Sequence, residues 1–446
     1  FRVTNRFYFT NLKKYMVHYS VTANNKVVRS GKVSLDIEPQ ASKEFTVPVG
    51  NLKPQAGTEY FVNFNVTTVE KEPLIPIGHE IACDQFRLPI ESPKKAFKIS
   101  GPKLTVSTNG DNLSASSSKV NFMFNKKTGI VTSYKVDGTE YFSEGFGIQP
   151  NFWRAPTDND YGNGMPKRLQ VWKESSKNFN VTDATVTMDG NNAVVNVNYL
   201  LPAGNLYIVN YTIYPSGAVN VAARFTSTDM DAAQTEVSES TRTATFTPGR
   251  DAARKEASKL NVPRIGVRFR LPASMNQVEY FGRGPAENYL DRNAGSMVGL
   301  YKSTAEELYF PYVRPQENGH HTDTRWVSLS TGKKGLLIQA DNTIGFNALR
   351  NSIEDFDDEE ATGLSRQWSN FTPEQVANHD EAAAKNVLRR QHHINDITPR
   401  DFVEVCVDLK QQGVAGYDSW GSRPEPAYTL PANREYNWGF TLIPLK

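Results

Sequence analysis

The sequence predicts an all-β protein, with an immunoglobulin-like β-sandwich over residues 1–93 followed by a large antiparallel sandwich over residues 96–446. Three observations carry that expectation. Short runs alternate apolar and polar residues with period two, clusters of Gly, Pro, Asn and Asp separate them, and no helical pattern alternates with the strands as a parallel α/β sheet would require. No internal period of roughly 20 to 50 residues recurs, which disfavours solenoids and propellers.

The first sandwich is read run by run. Phe1 leads straight into Arg2-Val3-Thr4-Asn5-Arg6-Phe7-Tyr8-Phe9, with no initiator Met and no signal peptide, as an excised fragment would begin. Tyr15 to Val21 alternates, Asn24-Asn25 turns, Lys26 to Arg29 returns, and Tyr60 to Val66 keeps period two. A unit of about 90 residues with about seven such strands has the size of an immunoglobulin-like domain. Ser92-Pro93-Lys94-Lys95 then reads as a linker.

From Ala96 the same grammar continues. Val120 to Phe124 and Ile130 to Tyr134 flank Lys127-Thr128-Gly129, and Val136-Asp137-Gly138-Thr139 supplies an Asp-Gly hairpin turn. Ala193 to Val197 and Leu206 to Tyr214 bracket Ala203-Gly204-Asn205, and Pro215-Ser216-Gly217 turns the chain into Ala218 to Val221. Two stretches depart from the pattern: residues 372–390, rich in Ala, Glu, Lys and Leu, predict a helix, and Ser303 to Leu308 a short one.

Charge and composition exclude several classes. Fifty basic and 48 acidic residues leave a formal charge of +2, with no electrostatic footprint for nucleic acid or an anionic membrane. A mean hydropathy of −0.52 and the absence of an apolar run long enough to span a bilayer predict a soluble protein, whose compartment, cytoplasmic or periplasmic, depends on a missing N-terminus. Cys83 and Cys406 are the only cysteines, too few for a disulfide framework or a cysteine-built zinc site.

Sugars present an apolar ring face and a rim of hydroxyls, so their sites pair an aromatic platform with Asn, Asp, Gln or Arg. Residues 145–162, which contain Phe152-Trp153-Arg154-Ala155-Pro156-Thr157-Asp158-Asn159-Asp160, have that composition. The same residues also suit a structural crossing loop in which Arg154 and Asp158 pair. Asp158-Asn159-Asp160 offers oxygen ligands for calcium, but Gly162 falls one place early and no closing Glu follows. Asp355 to Glu360 reads as a solvated acidic loop. His320-His321 and His392-His393 are strand neighbours that point to opposite faces, so neither pair chelates one ion. Glu287, Glu317 and Asp323 are of the right type for a hydrolytic pair of carboxyls, but they sit equally well in polar turns.

Three segments together resemble the carboxy-terminal region of large microbial β-galactosidases, which belong to the family-two glycoside hydrolases. They are the stretch Phe152 to Asp160, Tyr280-Phe281-Gly282-Arg283-Gly284-Pro285-Ala286-Glu287-Asn288-Tyr289-Leu290-Asp291-Arg292, and Tyr312-Val313-Arg314-Pro315-Gln316-Glu317-Asn318-Gly319. A fourth, Val407 to Gly421, looks like the family's closing motif, with Ala415 and Tyr417 where Gly and Asp or Asn are more usual. The resemblance implies a second immunoglobulin-like domain followed by a terminal supersandwich of the galactose-mutarotase type. It also implies that the acid/base and nucleophile carboxylates lie on a (β/α)8 barrel outside this chain, so that no catalytic residue is expected here.

What the resemblance carries over is a loop. Trp420 matches the tryptophan that the terminal domain contributes to the rim of the barrel's pocket, where it stacks on the sugar, and Asp418 and Ser419 would shape that loop. Gly413, Gly416 and Gly421 permit the tight turns that hold such an indole outward. The implied partner is a β-galactoside shared with the missing barrel, any divalent metal belongs to that barrel, and self-association follows the family's habit. Two other readings stand beside this one: a free-standing sugar epimerase of the mutarotase type using His321 and Glu317, and a carbohydrate-binding or scaffold module.

Overall fold

The structure is a computed structural model that describes residues 1–226, 260–357, 393–418 and 421–446. It divides into two compact units, one of residues 1–97 with Ala294–Leu300, the other of residues 98–293 with 301–446. Strands dominate both, as the alternating sequence predicts. No helix among the described residues is long and apolar enough to cross a membrane.

Residues 1–97 carry six strands, and the first unit also takes in the start of a later one, Met297–Thr304, where about seven are expected. The six are β1 (Arg2–Thr4), β2 (Tyr15–Ala23), β3 (Lys26–Ser34), β4 (Ser42–Glu44), β5 (Tyr60–Thr68) and β6 (Glu80–Arg87). An antiparallel sheet runs β3-β2-β5-β6, and β1 pairs with β4. Period two sends Tyr15, Val17 and Tyr19 of β2 and Val62 and Phe64 of β5 inward, where Phe1, Val3 and Phe45 from the small pair cover them. Ala294–Leu300 joins this unit through Gln85, whose Nε2 donates to Val298 O at 2.9 Å while its Oε1 accepts from Val298 N at 2.8 Å.

The second unit opens with a five-stranded sheet of β7 (Thr105–Asn109), β8 (Asn112–Ser116), β9 (Val120–Asn125), β10 (Ile130–Val136) and β11 (Thr139–Glu140). Beyond it lie β12 (Gln149–Asn151), β13 (Asn180–Asp189), β14 (Asn192–Leu200), β15 (Leu206–Ile213), β16 (Val219–Thr226), β17 (Arg264–Pro272) and β18 (Gln277–Gly284). The last strands are β19 (Met297–Thr304), β20 (His321–Ser330), β21 (Gly335–Leu349), β22 (Phe402–Gln411) and β23 (Tyr436–Leu445). The long sheet runs β12-β17-β22-β21-β23-β16-β15-β14-β13, with β20 and β18 branching from β21. The C-terminal strand β23 is thus inserted between β16 and β21, so the end of the chain completes the middle of the sheet.

Alternation builds one face of the core. Val195 and Val197 of β14, Tyr207, Val209 and Tyr211 of β15, and Val219, Val221 and Phe225 of β16 are buried in register. Each fully buried aliphatic side chain of this kind contributes roughly 1.5–3 kcal/mol. The pair β17 and β22 differs, being buried on both faces. Period two puts Ile265, Val267, Phe269 and Val403, Val405, Val407 on one side, and Arg264, Arg268, Arg270 and Glu404, Cys406, Asp408 on the other.

Three expectations need correction. Residues 158–162, at the end of the stretch that suits a crossing loop, form α1 (Asp158–Gly162), and the chain continues as α2 (Met165–Arg168) and α3 (Gln170–Lys177). Thr157 and Asp160 close a capping box at the start of α1, a signal of type T-x-x-D that lay beneath a motif read for its turns. Ser303 to Leu308 is the end of β19 and a turn, not a helix. The acidic run is not solvated where it is described: Asp355 caps α4 (Ile353–Phe356) and pairs with Arg400, and Asp357 accepts from Trp153 Nε1 at 2.7 Å and pairs with Lys173 at 2.8 Å. The helix expected at 372–390, and His392, lie outside the described residues.

Candidate functional site

The four motifs, far apart in sequence, are joined in the second unit: the first and second hold the stems of a loop, residues 413–422, in the fourth, and the third bonds both of them and the strand before the loop. Arg154 is fully buried, and its Nη2 bonds Asp160 at 2.9 Å and donates to Gly413 O at 3.3 Å. Its partner is therefore Asp160 rather than the expected Asp158, because α1 turns Asp160 back toward its own N-cap, where it also accepts from Thr157 N at 3.0 Å. Asp158 faces the third motif, with its backbone N donating to Gln316 Oε1 at 3.1 Å and its Oδ2 accepting from Gln316 Nε2 at 3.0 Å. Arg314 packs over the Tyr161 ring at 3.9 Å and lies 3.6 Å from Asp158. Asp158, Asn159 and Asp160 thus serve three different partners and do not converge on an ion. Phe152 and Trp153, the aromatic residues of this motif, are core side chains.

The second motif delivers Asp291 at the tip of a tight turn closed by the mutual backbone bonds of Tyr289 and Arg292. Its carboxylate accepts from Val414 N at 3.0 Å and Ala415 N at 2.7 Å. The two residues that follow Val414, Ala415 and Gly416, both have positive φ, 52° and 89°. Glu287 of the same motif accepts from Gly319 N at 2.7 Å, pairs with Arg292 at 2.8 Å and accepts from the Tyr312 hydroxyl. The second and third motifs are thereby tied together.

On the other side of the loop, Asn159 Nδ2 donates to Val414 O at 3.2 Å and to Ser422 O at 2.7 Å, and Asn163 Nδ2 donates to Ser422 O at 3.2 Å. Gly421, at φ 85°, lies so close to the end of α1 that an added Cβ would stand 2.5 Å from Gly162 C. Within the loop, Asp418 is exposed and its Oδ1 accepts from Ser422 N at 3.1 Å, while the Tyr417 hydroxyl donates to Arg423 O at 2.9 Å. Ser419 and Trp420 lie outside the described residues.

Beneath the loop is a buried polar cluster on β17, β21 and β22. Glu317 Oε1 accepts from Arg264 Nη2 at 3.0 Å, Asn347 Nδ2 at 3.0 Å and Gln411 Nε2 at 2.8 Å, linking the third and fourth motifs. Arg264 Nε stands 3.2 Å from Asp408 Oδ2, inside ion-pair range but outside hydrogen-bonding geometry, and neither Asp408 oxygen has a donor among the described residues. Gly266 makes room for this carboxylate, since a Cβ there would meet Asp408 Oδ1 at 2.1 Å. Burial, opposed by Arg264 and aided by Glu317, pushes the Asp408 carboxyl up to about 7. A cavity beside the cluster is lined by Arg264, Glu317, Asn318, Asn347, Cys406 and the apolar Phe356.

The carboxylates considered for hydrolysis are each neutralised: Glu287 by Arg292, Glu317 by Arg264 and Asp323 by Arg283. His320 and His321 are buried and held separately. His320 Nδ1 bonds Asn347 Oδ1 at 2.9 Å, whereas His321 bonds Gly319 O at 3.1 Å and Pro285 O at 3.2 Å. Burial lowers both imidazoles, His321 to about 4, and Arg264 adds to the effect on His320. Among the described residues no three His, Cys, Asp or Glu side chains group to hold a metal. Sequence reading did not find Asn159, Asn163, Asp291 or Arg264 as loop or cluster residues. Asn159 and Asp291 lie within two of the motifs, but contacts across more than a hundred residues leave no local signal.

These features define a class: a mostly β chain whose motifs, distant in sequence, hold the stems of one loop. The chain belongs to the β-galactosidase small-chain family, whose model matches residues 116–442, and a model for β-galactosidase domain 4 matches residues 1–89. It is similar to the β-galactosidase of Priestia megaterium, 30% identical over 449 residues that cover 100% of this chain and 37% of that protein. Its likeness to the β-galactosidase of Streptococcus thermophilus is 24% over 444 residues, 98% of this chain and 36% of that protein. The chain therefore spans little more than a third of the curated relatives it matches. Solved structures that resemble it include a galactose mutarotase related enzyme from Lactobacillus acidophilus, with a TM-score of 0.37 and 10% identity over 75% of this chain and 97% of that one. Another is a galactose mutarotase-like protein from Lactobacillus casei, with a TM-score of 0.36 and 11% identity over 75% of this chain and 100% of that one.

Proposed function

We propose that this chain is the C-terminal, non-catalytic part of a family-two β-galactosidase, and that the whole enzyme hydrolyses terminal β-D-galactosides with carboxylates on a barrel outside residues 1–446. The observation that carries the reading is that the first and second motifs hold the stems of the 413–422 loop while the third bonds Gln411 on the strand leading into it, together with the Arg pairing of Glu287, Glu317 and Asp323. A retaining or inverting glycosidase needs one carboxyl free to donate and another free to attack or activate water, and these three are committed to cations. On this reading Trp420 stacks on the galactosyl ring, and Asp418 and Ser419 shape its loop. Any divalent metal belongs to the barrel, and the enzyme self-associates.

The test is direct. This chain alone should give no turnover of an aryl β-galactoside above buffer, whereas in the full-length enzyme Trp420→Ala should raise KM by about tenfold or more. Robust hydrolysis by the isolated chain would refute the proposal. Accelerated anomer interconversion of galactose, lost with Glu317→Gln, would favour the epimerase reading instead.

A further inference from the structure

We propose that Asn159 is a positioning residue of the whole enzyme, acting as a two-pronged clasp on Val414 and Ser422, the two described stems that flank the residues assigned above to the sugar. This rests on the reading that residue 420 meets the substrate. The argument begins with donor count. A carboxamide nitrogen carries two hydrogens, and Asn159 Nδ2 spends one on Val414 O and the other on Ser422 O, carbonyls on the two stems of the same loop. Shorter or isosteric side chains cannot do this: Asp has no donor, and Ser has one. Holding both stems on one nitrogen fixes the separation of Val414 and Ser422, at the cost of a single ordered side chain.

The clasp is itself held rigidly. Asn159 sits on α1 between Asp158, bonded twice to Gln316, and Asp160, buried against Arg154. The bonds within the loop are of another kind, since Tyr417 to Arg423 and Ser422 to Asp418 are both solvent-exposed and weak in water. Asn163 reinforces only the Ser422 stem. Asn159 is thus the side chain that joins both stems to each other and to the body of the unit.

The experiment uses the full-length enzyme with Asn159→Asp, which keeps the shape and turns both donors into acceptors facing carbonyls, and with Asn159→Ala. Each is combined with Trp420→Ala. Expected are a KM for an aryl β-galactoside raised about five- to fiftyfold by either single change, kcat changed less than KM, and an unfolding temperature close to the parent's. On the Trp420→Ala background the same Asn159 changes should add less than about twofold, because a positioning residue has nothing left to position. An unchanged KM in Asn159→Asp and Asn159→Ala, with Trp420→Ala impaired, overturns the clasp while leaving the proposed function standing. Penalties that multiply in the double variants also overturn it, since Asn159 would then act on something other than residue 420. If Trp420→Ala itself leaves KM unchanged, both fall together.

Discussion

The carboxylate of Asp291 occupies the space that a side chain at position 413 would need: a Cβ on Gly413 would lie 2.3 Å from Asp291 Oδ2. The same carboxylate takes the amides of Val414 and Ala415, so the loop begins where backbone and carboxylate are pressed together. Gly413→Ala must push Asp291 away and break both bonds, and it should cost about 1–3 kcal/mol of stability. In an Asp291→Ala background the added methyl meets no carboxylate, so the second change should cost less than about 0.5 kcal/mol. Urea unfolding of the four proteins gives the coupling, and strict additivity would show that the contact is relaxed in solution.

Ala415 is held at φ 52°, a left-handed conformation that an L-residue with a Cβ resists by roughly 1–2 kcal/mol. Ala415→Gly relieves this but gives the unfolded chain more freedom, which returns part of the gain. The net expectation is stabilisation of about 0.5–1 kcal/mol, read as an upward shift in the unfolding midpoint. A lower midpoint would mean that the Ala415 methyl makes a contact worth more than the strain.

Glu317 supports three buried donors from one oxygen, those of Arg264, Asn347 and Gln411. Glu317→Ala leaves all three without that acceptor and removes a counter-charge of a fully buried guanidinium, which should cost about 3–5 kcal/mol. Glu317→Gln keeps one acceptor oxygen and should cost clearly less. If alanine and glutamine prove equally mild, water fills the site and the cluster is not structural.

The β architecture was legible because period two is a local property. The stripes of β2, β5, β14, β15 and β16 can be read directly from residues two apart, and the Asp-Gly turn at 137–138 falls between β10 and β11. Helix α1 was hidden because its capping residues belong to a stretch rich in Pro, Asp and Gly, which reads as turn. The polar face of β17 and β22 was hidden for another reason. Arg264, Arg268 and Arg270 look like solvent-facing positions of an alternating strand until one sees that Glu404, Asp408 and Glu317 lie opposite them. The motifs announced that residues near 154, 291, 316 and 413 matter, but only the fold shows that they matter to one another.

Asp408 gives the terminal unit a pH dependence of predictable sign. Its carboxyl is raised to about 7 when folded, against 3.8 as its ordinary value, because it is fully buried and Glu317 adds to the rise, with Arg264 opposing it. Between those values the folded chain keeps a proton that the unfolded chain has lost, so stability contributed by this group is complete below about pH 4 and disappears as pH rises through about 7. The loss is on the order of 2–4 kcal/mol for a group so deeply buried. His320 and His321, whose folded values are depressed, act in the opposite sense by weakening the fold as pH falls below their unfolded value of about 6.5, so the raw stability curve mixes the two. Asp408→Asn isolates the carboxyl. The stability of the parent minus that of Asp408→Asn should fall steadily from about pH 4.5 to about pH 8 in urea titrations, with the variant no less stable than the parent at the upper end. A difference that stays flat across this range would mean that Asp408 is ionised throughout and that Arg264 compensates it fully.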